Sequence, residues 1–442
     1  MVSCTQQVSA ADAVTAVAAA VSAFPEWRAV TFADRVQICE ALLGNIAAQR
    51  QAFVAAIASE TGKTQIEADQ ELQAGIAEFR AHIQIFEDGL VERVGEHQVA
   101  HLPIGAVLLV TPSNFPLAAT LRKLSAALLA GNTLVVKASE LTPVTAQLLF
   151  AAIDATALPA GVANLVLADG RDVIAAMVAA PGLAAVSLTG SNAAGDAIAA
   201  AIGSRNIRFQ AELGGCNAVV VLADADLDRA VSAVVEHGFA CCGQWCTGTT
   251  RVIVAADVYE DFTERLKIKT GQIVVGSNDE EANGMGAMIS AQHRQALEET
   301  VQSLCAAGAE ILCGGSRPDA EHLQHGYYYS PTILAVSSGA HDDEIFGPVI
   351  LVQRAADANE ALVLANAGPY GLSFSVFTAD PKAAEECVSA AEAGLCHVNL
   401  GSGYRDSAMP LAGWKASGRG IPECGNYARD FFTQTKAIYR AH

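Results

Sequence analysis

Positive charge is scarce in this chain: 27 Lys and Arg stand against 47 Asp and Glu, for a formal net charge of −20 over 442 residues. Nucleic acid is bound by clusters of Lys and Arg that displace its counterions, so a nucleic-acid partner is excluded. No Lys or Arg occurs before Arg28, and the basic start of a secretory signal is therefore missing. The eleven cysteines fall at no paired spacing, which argues against a disulfide framework and for a reducing, cytoplasmic compartment. Unbroken apolar runs are lacking too. The longest weakly charged stretch, 173–207, is interrupted by Pro181, Gly182, Gly190 and Asn192. It reads as helix, turn, strand, turn and helix, and no membrane span is expected.

What the chain does have is apolar mass. With 52% hydrophobic and 17% charged residues, it can bury large sheets in two or three layered domains. Near the start, Ala13–Ala23, Phe32–Ile57 and Thr64–Phe86 repeat apolar positions at helical period, with Thr31 and Thr61 at helix boundaries. From Ile104 short apolar segments alternate with helical ones: Ala106–Val110, Leu134–Val136, Leu165–Leu167, Ala185–Leu188 and Ile207–Ala211. That alternation predicts an α/β fold with a parallel sheet wrapped by helices. A second series follows Gly214-Gly215, at Ala218–Leu222, Arg251–Val254, Ile311–Leu312, Val349–Val352 and Phe374–Phe377, so a second α/β domain is expected. His97–Leu102 and Phe431–Tyr439 alternate apolar and polar residues. These two isolated strands should pair with each other or with another subunit.

Three segments carry chemistry. Gly243-Gln244-Trp245-Cys246-Thr247 sets a cysteine between a helix and a strand, where loops present side chains into clefts. Taken alone, Cys246 reads as readily as one buried thiol among eleven. A metal site of Cys241, Cys242 and Cys246 is disfavoured, because the spacing matches no common zinc pattern, and no metal is expected. Glu212-Leu213-Gly214-Gly215 puts a carboxylate at the end of an apolar strand, the edge where parallel sheets build sites. Glu212 is either a solvated strand end or a base whose pKa a partly apolar cleft raises. Thr111-Pro112-Ser113-Asn114-Phe115-Pro116 also follows a strand, and Asn114 either shapes a turn or offers its amide to an oxyanion.

In this order, and with 34 positions between residues 212 and 246, the three segments resemble the aldehyde dehydrogenase superfamily. The resemblance runs from about residue 10 to the C-terminus. It implies an α/β fold of two Rossmann-like parallel-sheet domains plus a small β oligomerisation element. The cofactor-binding domain would span 1–95 and 104–213, the catalytic domain 214–410, and the oligomerisation strands 96–103 and 428–442. It further implies that Cys246 is the nucleophile, Glu212 the base and Asn114 the oxyanion donor.

The cofactor implied is NAD, although no Gly-x-Gly-x-x-Gly follows a strand; this family binds NAD without it. Val135-Val136-Lys137-Ala138-Ser139-Glu140 is similar to the segment that holds the adenosine ribose. Glu140 would repel a 2′-phosphate, so NAD is favoured over NADP. Gly190, Ser191 and Gly195 open a helix where the pyrophosphate would sit, and Thr111, Pro112 and Leu213 belong to the same cofactor cleft. Glu344 and Phe346 would position the nicotinamide ribose and ring; taken alone they read as a turn residue and plain core.

The match departs from the family at several points. Asn114 comes early in the chain, which would leave out an N-terminal hairpin of the cofactor domain. Ser113 stands where many members carry an aromatic residue and should widen the substrate tunnel. Trp245 either lines that tunnel or packs beside the nucleophile. Ile421-Pro422-Glu423 replaces the usual Arg-Glu-Leu, so the family's second cleft carboxylate has no match in register and Glu423 is not given that role. Asn399–Pro410, with Tyr404-Arg405, looks like the loop of lactaldehyde, glycolaldehyde and phosphonate or sulfonate aldehyde dehydrogenases. There Arg405 could face an anionic tail, or simply be solvated.

The function implied is NAD-dependent oxidation of a small aldehyde, hydroxylated and anionic ones included, such as a lactaldehyde or semialdehyde. The product is the carboxylic acid, formed through a thiohemiacetal and a thioester on Cys246 in a homodimer or homotetramer. The rivals are an enzyme that passes the thioester to coenzyme A, which Glu212 speaks against, and a catalytically silent NAD-binding or structural member. A cysteine hydrolase is disfavoured because no His lies in a recognisable partner motif.

Overall fold

The computed structural model describes residues 9–168, 170–276, 284–337 and 343–441. It opens with α1 (Ala10–Trp27), α2 (Phe32–Ala48), α3 (Arg50–Thr61) and α4 (Gln65–Gly89). Ser9 and Thr64 close capping boxes with Asp12 and Glu67, and Thr31 caps α2; each satisfies first-turn N–H groups that have no partner in the helix. The single helix expected over Phe32–Ile57 is two. Gln49, at φ −104° and ψ 20°, steps out of the helical region and starts α3 afresh.

The chain then forms β1 (Val91–Val94), β2 (His97–Pro103), β3 (Ala106–Val110), α5 (Ala118–Ala130), β4 (Thr133–Ala138), α6 (Pro143–Asp154), β5 (Ala163–Leu167), α7 (Arg171–Ala179), β6 (Leu183–Thr189), α8 (Asn192–Ile202) and β7 (Arg208–Glu212). A parallel sheet runs in the order β7, β6, β3, β4, β5. Helices cover both faces, and β3 and β4 are buried along their whole length; hence the unbroken apolar run of β3 and the apolar centre of β4. From β3 the chain moves outward through β4 and β5, then returns to lay β6 on the other side. The strand order reverses between β3 and β6, and the crevice outside their carboxyl ends is where open α/β sheets take ligands.

The second sheet contains β8 (Asn217–Val221), followed by α9 (Leu227–Phe239) and β9 (Thr249–Ala255). Its order is Glu310–Cys313, Thr332–Ala335, Val349–Ala355, β9, β8, Ser373–Phe377, Leu395–Val398, parallel except for the first pair. Near the C-terminus Gly418–Arg419 crosses back and pairs antiparallel with β7. Val91–Val94, Thr332–Ala335 and Leu395–Val398 were not anticipated from sequence.

β2 pairs antiparallel with both β1 and Thr433–Ile438, so the two alternating segments do meet within one chain. The boundaries differ from those expected. The small sheet begins at Val91, and Gly425–Phe432 is a helix, not a strand. Ala428, Phe431 and Phe432 are buried in the first domain's core, and their spacing matches one helical face. No helix among the described residues is long and apolar enough to cross a membrane.

Candidate active site

Between α9 and β9 the backbone makes a costly turn. Cys241, Cys242 and Gly243 have φ of 53°, 56° and 65°, and a non-glycine residue in that left-handed region costs roughly 1–2 kcal/mol. The turn is held from outside. Glu67 Oε1 accepts from Cys241 N at 2.6 Å, and Gln244 donates to Cys241 O from its backbone N at 3.1 Å and its Nε2 at 3.2 Å. Gly243 lies against the Gly347 carbonyl, where a Cβ would sit 2.1 Å from the oxygen. Downstream, Asn217 Nδ2 donates to Cys246 O at 2.8 Å and Gly248 O at 2.7 Å. Anchored on both sides, the segment leaves Cys246 partly exposed.

Asn114 meets this segment directly: its Nδ2 donates to Gln244 O at 2.9 Å. Glu212, at the end of β7, is buried, and among the described residues one of its carboxylate oxygens has no hydrogen-bond partner. Burial pushes the Cys246 thiol up to about 11; Glu344 and Glu212 add to this, while Arg122 and Arg405 oppose it. Burial also holds the Glu212 carboxyl well above the usual carboxylate range, with repulsion from Glu423 adding and attraction to Lys123 opposing. Cys246, Glu212 and Glu344 thus sense one another's charge, and Asn114 is tied to the loop just before Cys246.

Sequence reasoning missed the charges behind it. Lys123 Nζ donates to Glu423 Oε1 and, at 2.9 Å, to Ser187 Oγ. Arg122 Nε meets both oxygens of Glu78 at 2.9 Å and its Nη1 lies 3.7 Å from Glu423. Glu423, given no role from sequence, is therefore buried between Lys123 and Arg122. Cys424, at φ 63°, bends the chain just after Glu423. The one sequence signal was Arg122-Lys123 inside the otherwise uncharged Ala118–Ala130, since charges on an apolar helix need partners.

Arg405 also turns inward instead of being solvated. Its Nη2 donates to Cys424 Sγ at 3.4 Å and lies 3.7 Å from Glu78 Oε1, and Cys424 Sγ donates to the same carboxylate at 3.0 Å. Burial works against the charge on Glu78, yet Arg122 and Arg405 outweigh it and hold that carboxyl down at about 2. Trp245 packs, with its ring centroid 5.8 Å from Phe115 and 5.7 Å from His237. Ser113 lines a small cavity with Lys63, Asn114, Gln244 and Phe346.

The residues expected to hold a cofactor follow strand ends on one edge of the first sheet. Thr111 and Pro112 follow β3, and Thr111 N donates to Lys137 O at 3.1 Å. Lys137 Nζ, near the end of β4, pairs with Glu140 Oε2 at 3.0 Å, and Ser139 lies between them. Burial alone would raise the Glu140 carboxyl, but its own backbone N–H and Lys137 lower it, leaving a half-exposed ionised acceptor suited to a ribose diol. Gly190 and Ser191 follow β6, and Ser191 Oγ caps α8 by accepting from Ala194 N. Gly195 lets α8 approach β7 closely, since a Cβ there would lie 3.0 Å from Leu213 Cδ2. The Leu213 side chain is buried and its N–H is bound to Ser417 O at 2.8 Å, so it contributes packing. Glu344 Oε1 accepts from Gly215 N at 3.1 Å, and burial pushes its carboxyl up to about 7. A diol acceptor beside a helix start at the topological reversal fits a dinucleotide.

Comparison with known proteins agrees with this arrangement. The model of the aldehyde dehydrogenase family matches residues 1–438. The chain is 35% identical to an alpha-ketoglutaric semialdehyde dehydrogenase of Bacillus subtilis (strain 168), across 98% of this chain and 91% of that protein. It is 33% identical to a 2-hydroxymuconic semialdehyde dehydrogenase of Pseudomonas sp. (strain CF600), across 93% and 87%. Among solved structures it resembles betaine aldehyde dehydrogenase from Staphylococcus aureus in complex with NAD+, with a TM-score of 0.94 and 28% identity, covering 98% of this chain and 88% of that one. A family model matched over nearly the whole length and a cleft that gathers cysteine, glutamate and asparagine lead to one conclusion: the chain belongs to the aldehyde dehydrogenase family.

Proposed function

We propose that this enzyme oxidises a small semialdehyde, an aldehyde whose far end is a carboxylate, to the corresponding acid with NAD. The observation that carries the substrate class is the charge balance behind Cys246. Arg122 and Arg405 share the single carboxylate of Glu78, while Lys123 takes Glu423, and burial favours the neutral form of Glu212. Three cations then face two ionised carboxylates, and a substrate anion would complete the set. The names of the two curated relatives, both semialdehyde dehydrogenases, agree with this reading.

In the reaction so proposed, the Cys246 thiol loses its proton to solvent, the thiolate forms a C–S bond to the aldehyde carbon, and the carbonyl electron pair moves onto oxygen. The Asn114 amide and the Cys246 backbone N–H stabilise that oxyanion. NAD would supply the acceptor for the hydride that must leave the tetrahedral carbon to give the thioester. Lys137, Ser139 and Glu140 would hold its adenosine ribose, the start of α8 its pyrophosphate, and Glu344 with Phe346 its nicotinamide end. Glu212 then removes a proton from water, whose oxygen attacks the thioester carbon and expels the Cys246 thiolate. The ionised Glu140 favours NAD over NADP. The free thiols suit the cytoplasm. Assembly as a homodimer or homotetramer would use the small sheet of β1, β2 and Thr433–Ile438, whose outer strand leaves Val91 and Val94 exposed.

The test pairs a carboxylate-bearing semialdehyde with an uncharged aldehyde of equal length. A ten- to hundredfold higher kcat/KM for the former is expected, about the size of a charge-assisted hydrogen bond. Equal values would remove the anionic substrate, and unchanged turnover in Cys246→Ala would remove the covalent scheme.

A further inference from the structure

We propose that Lys63 is a positioning residue of this reaction, which acts by fixing the backbone from which Asn114 presents its amide. The proposal rests on the reading of Asn114 as the oxyanion donor. Lys63 lies just before α4 with its side chain 1% exposed, and all three directions of its ammonium are engaged. Nζ lies 2.5 Å from Glu71 Oε2, donates to Asn114 O at 2.7 Å and sits 3.6 Å from the centroid of the Phe115 ring. The other oxygen of Glu71 accepts from Leu117 N at 2.9 Å and Ala118 N at 3.1 Å. The Asn114–Ala118 segment is therefore gripped at its carbonyl, its ring and its helix start by one ion pair.

The same short stretch holds the opposite wall of the cleft. Glu67, one turn into α4, accepts from Thr64 N at 2.8 Å with one oxygen and from Cys241 N with the other. One helix start thus braces both the loop carrying the amide and the left-handed turn before the thiol. Stability alone gives no reason for such a lysine, because a buried ion pair is often no better than apolar residues of similar volume. Precision does: misplacing a reacting group by about 1 Å can cost about a hundredfold in rate.

The experiment is a double-mutant cycle on first-turnover NADH formation, using wild type, Lys63→Met, Asn114→Ala and the double variant. Lys63→Met should slow the step ten- to a hundredfold with the KM for NAD unchanged. In the double variant the two losses should not multiply, its rate matching Asn114→Ala alone, because Lys63 acts through Asn114. Should Lys63→Met fail to fold, the charge-neutral Lys63→Met, Glu71→Gln pair takes its place in the cycle. Multiplying losses, or a Lys63 variant as fast as wild type while Asn114→Ala is slow, would overturn the proposal and leave Asn114 untouched. A fast Asn114→Ala would overturn the oxyanion reading itself and the role of Lys63 with it.

Discussion

The side-chain amide of Asn114 donates to the main-chain carbonyl of Gln244 at 2.9 Å, joining segments 130 residues apart. That bond uses one N–H and leaves the amide a second for a substrate oxygen. Removing one oxyanion donor typically costs about 10²–10³ in rate. Asn114→Ala should therefore slow stopped-flow NADH formation by that factor with little change in melting temperature; a loss below threefold would show that the amide only ties the two loops.

Glu212 serves the second half of the reaction in the scheme proposed. Glu212→Gln should release a burst of NADH near one equivalent per active site and then stop, because the thioester forms but water is not activated. A variant with no burst would move Glu212 to an earlier step.

The pH dependence follows from the burial of Glu212, to which repulsion from Glu423 adds. The base form of Glu212 appears only above its raised pKa, so thioester hydrolysis should rise with pH well beyond the ordinary carboxylate range. Glu423→Gln removes the like charge and frees Lys123, and both effects favour ionised Glu212. The rising limb of the pH–rate profile should then move to lower pH, and an unmoved limb would break the coupling. For stability the sign is the reverse of an ion-paired carboxylate. Glu212 stabilises the fold below its unfolded pKa, and that contribution is lost as pH rises through the folded one. Melting temperature should fall across this window in wild type and less so in Glu212→Gln.

Cys246 offers a direct chemical readout. Burial accounts for most of its rise to about 11, and the Glu344 charge adds to it. Glu344→Gln should lower the thiol pKa and speed alkylation by iodoacetamide at pH 8. An unchanged rate would mean that the two groups do not sense each other.

The alternating apolar segments were legible because strands buried on both faces leave a local trace, and β3 appears with the bounds its apolar run implied. The bend at Gln49 was not, since it depends on a single backbone step with no proline or glycine to mark it. The strand expected over Phe431–Tyr439 starts two residues late, at Thr433, because two adjacent phenylalanines suit either period; only burial of Phe431 and Phe432 against the first domain decides for helix.

The order and spacing of three segments along the chain pointed to the reaction class: Asn114, Glu212 and Cys246 each read two ways alone, and only as a set do they resemble one family. Tertiary structure alone decided the electrostatics around them. Lys123 and Glu423 are 300 positions apart, and Lys63 reaches Asn114 across 51. Such pairings arise from chain crossings that bring buried charges together, and a buried charge takes whichever partner the fold delivers. Nothing in its neighbours along the chain names that partner.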